Sequence, residues 1–373
     1  MGIMRIKVFI IFFGLLALFS TAWQAGAQQP PDLTGNLSFN VGSESGRVER
    51  LVITIGDGGT GAYKAILTGD PGLPTHAIYR PRDLGPFGDK LKLPIVAFGN
   101  GGCRNTSGEF RNFLSDIASH GFLVVAIGPA GNAVVMGSEE QVGTTSASQL
   151  LDGVDWAIKE NSRPGSEYYG KIDPSKVAVM GQSGGGMEAM EVSGDPRVTT
   201  SVILNSASVK AMTTAQTAAA TPGRPEARGE YGAAGSTTKM FDQLTSMSRR
   251  YNFNVAPMKL PTPPCFGLTQ SDPLQKLHGP IAYINGGPSD GAFPRARAEF
   301  AAIQGVPALL AYQDVGHYPA TYREPNGGAF AVAVSAWLEW QLRGDQAAGK
   351  MFMGKSCGLC TDPKWKIEKK GIK

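Results

Sequence analysis

Short apolar runs separated by glycine, proline and polar turns set the rhythm of this chain, and the rhythm changes part-way along it. Near the start, Arg50 to Ile55, Tyr63 to Leu67 and Thr75 to Tyr79 have strand length and composition. Gly and Pro turns part them, which predicts an antiparallel meander at a sheet edge. From Pro94 onward, strand-like runs alternate with segments of helical spacing. The predicted strands are Pro94 to Phe98, Phe122 to Ile127, Lys176 to Met180, Val198 to Leu204, Ile281 to Asn285 and Ala308 to Tyr312. Helices are predicted over Gly108 to Ser119, Ser146 to Lys159, Arg295 to Ile303 and Phe330 to Leu342, with another beginning just after Ser183. In the second of these, Leu150, Leu151, Val154 and Ile158 recur at the period that lines one helix face. Repeated βα units predict an α/β fold whose mostly parallel, doubly wound sheet is covered by helices on both faces.

Residues 207–270 break the alternation. Ala211 to Thr238 is rich in Ala, Thr, Gly and Pro, whereas Phe241, Leu244, Met247 and Tyr251 return to helical spacing. An insertion here overhangs the carboxyl ends of the strands, and two readings stay open: a surface excursion, or a cap that shapes a pocket. The expected organisation is a polar lead-in over 28–47, one domain over 48–345 carrying the cap-like insertion, and a basic, cysteine-containing tail over 346–373.

The first 27 residues read as an export signal. Arg5 and Lys7 precede an apolar run from Val8 to about Ala22, and Ala25-Gly26-Ala27 gives a small-x-small cleavage site before Gln28. The run is short for a membrane span, so a periplasmic or extracellular protein with no stable span is expected. Four cysteines, Cys103, Cys265, Cys357 and Cys360, fit that compartment, and disulfides are the expectation with connectivity open. Cys357-Gly-Leu-Cys360 reads as a structural bridge; no thioredoxin-like βαβ unit surrounds it, and zinc lacks two further ligands. Without Arg5 and Lys7 the formal charge of +4 falls to +2, and that surplus is local, since Lys364, Lys366, Lys369, Lys370 and Lys373 crowd the last ten residues. Without interleaved aromatics such an end reads as solvated tail, and no nucleic-acid partner is expected. Asn36-Leu-Ser38 and Asn105-Thr-Ser107 are glycosylation acceptors only in a eukaryotic source.

Candidate chemistry centres on Lys176-Val-Ala-Val-Met180-Gly-Gln-Ser183-Gly-Gly-Gly186-Met-Glu-Ala-Met190, an apolar strand running through GQSGG into a helix. The spacing is that of a nucleophile elbow: a serine on a tight strand-to-helix turn has a strained backbone, tolerable where Gly181 and Gly185 lack a Cβ. The helix beginning after Ser183 aims free N–H groups at a developing oxyanion, the Gly184 amide first.

A serine hydroxyl needs a base, and the chain has only four histidines. His76 lies in the meander, His120 closes a helix and His278 precedes Gly279-Pro280, so each has a structural reading. His317, in Asp314-Val-Gly-His317-Tyr-Pro, follows the last predicted parallel strand, at the carboxyl end where sites in open α/β sheets form. The orienting acid is expected one strand earlier, and Asp290 in Asn285-Gly-Gly-Pro-Ser-Asp290 occupies that loop; Asp314 is second choice and Asp272 third. The second oxyanion donor is expected from Gly99-Asn-Gly-Gly102-Cys103-Arg, at Gly102 or Cys103. A phosphate cradle is the rival for this loop, but the Lys-Ser/Thr pair of a P-loop is missing.

Taken together, GQSGGG, the GNGGC loop followed by Ala118-Ser-His-Gly-Phe-Leu-Val-Val-Ala-Ile127, then GGPSD and DVGH resemble the dienelactone hydrolase, cutinase and polyester-hydrolase branch of the α/β-hydrolase superfamily, over about Thr75 to Arg343. The resemblance implies an α/β-hydrolase fold and hydrolysis of a small-molecule or polymeric carboxylic ester. Ser183, Asp290 and His317 take the triad roles, with no metal or organic cofactor. The chain departs from true dienelactone hydrolases in carrying Ser rather than Cys as nucleophile, and from cutinases in its large insertion. A serine peptidase or amidase on the same fold, and a non-catalytic binding protein, are the rival readings.

Overall fold

Residues along each central strand point alternately to opposite sides, and here both sides are apolar, so the sheet is buried on both faces. The structure, a computed structural model, describes residues 52–134, 145–208 and 272–373, together with a two-residue strand at Ser38–Phe39. The expected export signal over 1–27, nearly all of the lead-in, and the insertion beyond Ser208 with Cys265 lie outside the described residues.

The strands in chain order are β1 (Ser38–Phe39), β2 (Val52–Thr54), β3 (Ala65–Thr68), β4 (His76–Pro81), β5 (Leu93–Gly99), β6 (Leu123–Ile127), β7 (Ile172–Gln182), β8 (Val198–Leu204), β9 (Ile281–Asn285), β10 (Ala308–Tyr312) and β11 (Lys366–Lys370). They form one sheet in the order β1-β2-β3-β4-β6-β5-β7-β8-β9-β10-β11. From β6 to β10 along that order every pair is parallel. The expected meander, β1 to β4, is antiparallel and joins through β4 to β6.

The helices are α1 (Arg111–Ser119), α2 (Ala147–Ser162), α3 (Gly184–Val192), α4 (Phe293–Ala302), α5 (Gly328–Arg343), α6 (Gln346–Gly349) and α7 (Gly358–Thr361). Strand alternation sorts them into layers. Phe98, Val124, Met180, Leu204 and Ile284 face one side, where Phe113 and Ile117 of α1 and Val334 and Trp337 of α5 cover them. Ala97, Val125, Val179, Ile203 and Tyr283 face the other, under Val154 of α2, Met190 of α3 and Phe300 of α4. The sheet is therefore doubly wound, as the alternating pattern predicts. Among the described residues no helix is long and apolar enough to cross a membrane.

The order β6-β5-β7 contains the feature that positions a site. The chain leaves β5 toward β6 on one side, then returns to add β7 on the other, so the connections leaving β5 and β7 diverge. Such a switch point opens a crevice at the carboxyl ends of the two strands. Into it run Gly99-Asn-Gly-Gly-Cys103 after β5 and Ser183 after β7.

The basic tail departs from the sequence reading. Instead of a solvated end, Lys366–Lys370 pairs antiparallel with β10 and closes the sheet. Its lysines still serve the edge. Lys369 Nζ donates to the Phe352 and Gly354 carbonyls, and Lys370 Nζ to those of Ala301 and Ile303, while charge along an edge strand discourages pairing with another chain. The Cys357–Cys360 disulfide sits at the start of α7, as the structural-bridge reading anticipates.

Candidate active site

Between β7 and α3 the chain reverses within one residue, and Ser183 holds φ 53° and ψ −115° to do it. A non-glycine residue in this region costs about 1–3 kcal/mol, so the surroundings must over-determine it. They do: the Ser183 amide donates to the Leu204 carbonyl at 3.0 Å, and its own carbonyl accepts from Ser206 Oγ at 2.6 Å and from the Gly186 and Met187 amides at 3.0 and 3.1 Å. The flanking glycines are required by space. A Cβ on Gly181 would lie 2.1 Å from the Gly185 oxygen, and one on Gly185 would lie 2.0 Å from the Gly99 carbonyl carbon.

The loops after β9 and β10 bring the predicted partners to this turn. Ser183 Oγ lies 2.9 Å from His317 Nε2, and His317 Nδ1 lies 2.7 Å from Asp290 Oδ1. Asp290 is fully buried, whereas His317 keeps part of its ring open to solvent. Burial by itself would raise the Asp290 carboxyl. The His317 hydrogen bond and charge, the Ala292 amide and Asn205 together outweigh it and hold the group below the usual carboxylate range. Asp290 thus stays an acceptor that fixes His317 with its proton on Nδ1 and its Nε2 lone pair toward Ser183.

Asp314 and Asp272 take other roles. Asp314 Oδ1 accepts from the Ser289 amide at 2.8 Å, pinning the loop that carries Asp290, and Asp272 caps the short turn at Pro273–Lys276. The remaining histidines are hydrogen-bonded away from Ser183. His76 is buried between Thr75 Oγ1 and the Gln149 carbonyl, His120 Nδ1 meets Glu339, and His278 Nε2 meets the Val198 carbonyl.

Three supporting residues escape a reading of the sequence. Asn205, at the end of β8 with φ 46°, donates from Nδ2 to Asp290 Oδ2 at 2.9 Å and to the Gly316 carbonyl at 3.1 Å. Its Oδ1 accepts from the Tyr322 hydroxyl at 2.7 Å, and Tyr322 is held edge-on by Phe110, Phe113 and Phe330. Gln182, buried beside the serine, donates from Nε2 to the His317 carbonyl at 2.9 Å. No pattern in the sequence marks them; the left-handed conformation of Asn205 just after a strand is visible only once the backbone is known.

The two loops expected to supply oxyanion donors abut. A Cβ on Gly184 would lie 2.5 Å from Cys103 Sγ and 2.8 Å from the Cys103 nitrogen. Cys103 is buried, disulfide-bonded and held at φ 49°, so this loop is fixed in shape. The alternatives for the second donor divide: Cys103 is placed against Gly184, but its amide donates to the Asn100 carbonyl at 3.1 Å. The Gly102 amide has no such partner among the described residues. The surface beside His317 is apolar. Tyr318 stands edge-on to the imidazole at 4.7 Å, and Val315 and Tyr318 are two of the four large apolar side chains exposed among the described residues. In comparisons with known proteins, the chain matches no family model and no curated protein.

Proposed function

We propose that this protein is an exported serine hydrolase of the α/β-hydrolase type that cleaves carboxylic esters. The observation that carries the reading is the unbroken hydrogen-bonded line from Ser183 Oγ through the His317 ring to Asp290, at 2.9 and 2.7 Å, beginning at a strained turn in the switch-point crevice. Ser183 Oγ attacks the acyl carbon as His317 Nε2 takes its proton. The carbonyl oxygen becomes an oxyanion facing the Gly184 amide and that of Gly102 or Cys103. Collapse expels the alcohol, which receives the proton from His317. Water, deprotonated by His317, then attacks the acyl-enzyme and releases the acid and Ser183. The apolar rim of Val315 and Tyr318 favours esters with an apolar group over charged ones. Export rests on the signal-like 1–27 segment and on the disulfides at Cys103 and Cys357–Cys360.

The test is to incubate the mature protein with a fluorophosphonate probe and with p-nitrophenyl esters of increasing acyl length. Labelling at Ser183 with turnover of the esters is expected; neither labelling nor turnover sinks the enzyme reading. Parallel p-nitroanilide substrates separate an esterase from an amidase.

The network behind Asp290 gives a further expectation. Tyr322→Phe removes the hydroxyl that orients Asn205 but keeps the packed ring. It is expected to lower kcat roughly tenfold with KM unchanged, because it loosens the acid without touching substrate. A change in KM with kcat preserved would instead place Tyr322 in substrate binding.

A further inference from the structure

A cavity of about 310 Å³ lies away from Ser183, bordered by α1, α5 and α6. Topology puts it toward the amino ends of the central strands. α1 descends from the carboxyl end of β5 to feed the amino end of β6, so His120, which closes α1, lies at the far end from the serine. α5 ends beside it, where Arg343 donates to the Gly121 carbonyl.

One side of the cavity is polar and acidic. His120 Nδ1 meets Glu339 Oε1 at 2.9 Å, and its Nε2 is 3.8 Å from Asp116 Oδ2. Asp116 Oδ1 accepts from both the Thr60 amide and the Thr60 hydroxyl, each at 2.8 Å. With two carboxylates against one imidazole, the lining stays net negative even when His120 is protonated. Arg343 also acts on His120, yet it is committed to Gly121 and to the Phe122 ring and does not line the cavity. The other side is hydrocarbon, from Val332, Ala347 and Met351. Between them sits Ser335, a lining residue only 2 % exposed, whose buried Oγ has no hydrogen-bond partner. A buried hydroxyl left unpaired is destabilising, and a ligand donor reaching it recovers that loss. The trio of Asp116, His120 and Glu339 does not make a metal centre, because the imidazole is already spent on the carboxylate; among the described residues no cluster is placed to hold a metal ion.

We propose that this cavity is a second ligand site, distinct from the Ser183 crevice, that takes a small primary amine with an apolar body. The ammonium donates to Ser335 Oγ and the Glu339 carboxylate, and the hydrocarbon lies against Val332, Ala347 and Met351. Anionic ligands are repelled by Asp116 and Glu339, and the site is independent of ester hydrolysis.

The experiment titrates the full chain with n-hexylammonium, hexan-1-ol and hexanoate at constant ionic strength, following backbone amide resonances. Expected are saturable shifts with n-hexylammonium, at millimolar affinity, confined to the end of α1, to α5 and to α6. Hexan-1-ol binds at least about fivefold more weakly and hexanoate not at all, as the loss of a charge-assisted hydrogen bond dictates. Ser335→Ala weakens the amine about threefold or more, and Ala347→Phe, at an exposed position, blocks it. Melting temperatures of both variants identify any failure to fold, and Ser183→Ala binds as the parent does. Three outcomes overturn the proposal: no saturable shift, shifts gathered around His317, or undiminished binding in folded Ser335→Ala and Ala347→Phe. Equal binding of hexan-1-ol overturns the amine assignment.

Discussion

Ser183→Ala is expected to lower kcat toward a p-nitrophenyl ester by about 10⁶-fold, the loss typical of a nucleophile in a triad that works as a unit. Asp290→Asn costs less, about 10⁴-fold, because the amide presents the wrong partner to His317 Nδ1 while leaving the geometry nearly intact. Combining the two is expected to add almost nothing to Ser183→Ala, since Asp290 acts only through His317 on Ser183. Stability separates the nucleophile from its turn. Alanine keeps a Cβ at φ 53°, so Ser183→Ala removes the hydroxyl and retains the strain. Ser183→Gly removes both and is expected to unfold at a higher denaturant concentration than Ser183→Ala, by about 1 kcal/mol in ΔG. Residual turnover of Ser183→Ala above about one per cent of the parent, with product burst intact, would move the nucleophile elsewhere.

The grouping of Ser183, His317 and Asp290 is legible in the chain because topology and scarcity act together. Four histidines leave few bases to weigh, and only His317 follows a parallel strand at its carboxyl end. Asp290 is preferred over Asp314 by strand order and because Asp314, three residues from His317, would have to fold back on its own loop; the register of β9 beside β10 places the Asp290 loop against that of His317. The parts that escape sequence reading depend on spatial neighbours. Asn205 reaches Asp290 because β8 pairs with β9, and Tyr322 reaches Asn205 because aromatic packing turns its hydroxyl inward. No local pattern encodes either contact. The C-terminal strand is hidden for a different reason: Lys-Ile-Glu-Lys-Lys has the charge of a solvated tail, and only Ile367 packs against the core. Edge strands tolerate that composition because one of their sides has no neighbour to pack against.

Glu188→Gln is expected to stabilise the protein above pH 7 and to remove part of its pH dependence. Glu188 lies on α3, one turn beyond Gly184, and is fully buried. Its Oε1 accepts from Thr145 Oγ1 at 2.7 Å, while Oε2 has no partner and lies 2.8 Å from where a Cβ on Gly99 would stand. Burial pushes the carboxyl up to about 7; the Thr145 hydrogen bond opposes this, and the charge of Glu191 adds to it. The folded protein therefore binds this proton more tightly than the unfolded chain, whose value is 4.5. The contribution to stability is complete below pH 4.5 and is lost as pH rises to about 7, amounting to about 3 kcal/mol over that window. Glutamine keeps the volume and the acceptor for Thr145, places a donor where Oε2 was unpaired, and does not titrate. Urea midpoints of both proteins at pH 4.5, 6 and 8 read the difference, which is expected to grow with pH in favour of the variant; equal slopes would show that Glu188 ionises freely in the fold. The same charge bears on catalysis. In the proposed mechanism ionised Glu188, beside Gly99 at the end of β5 where the loop to Gly102 and Cys103 begins, opposes the negative charge of the transition state. Above pH 7, Glu188→Gln is accordingly expected to raise kcat relative to the parent, with the two converging as pH falls below the point where the parent is protonated.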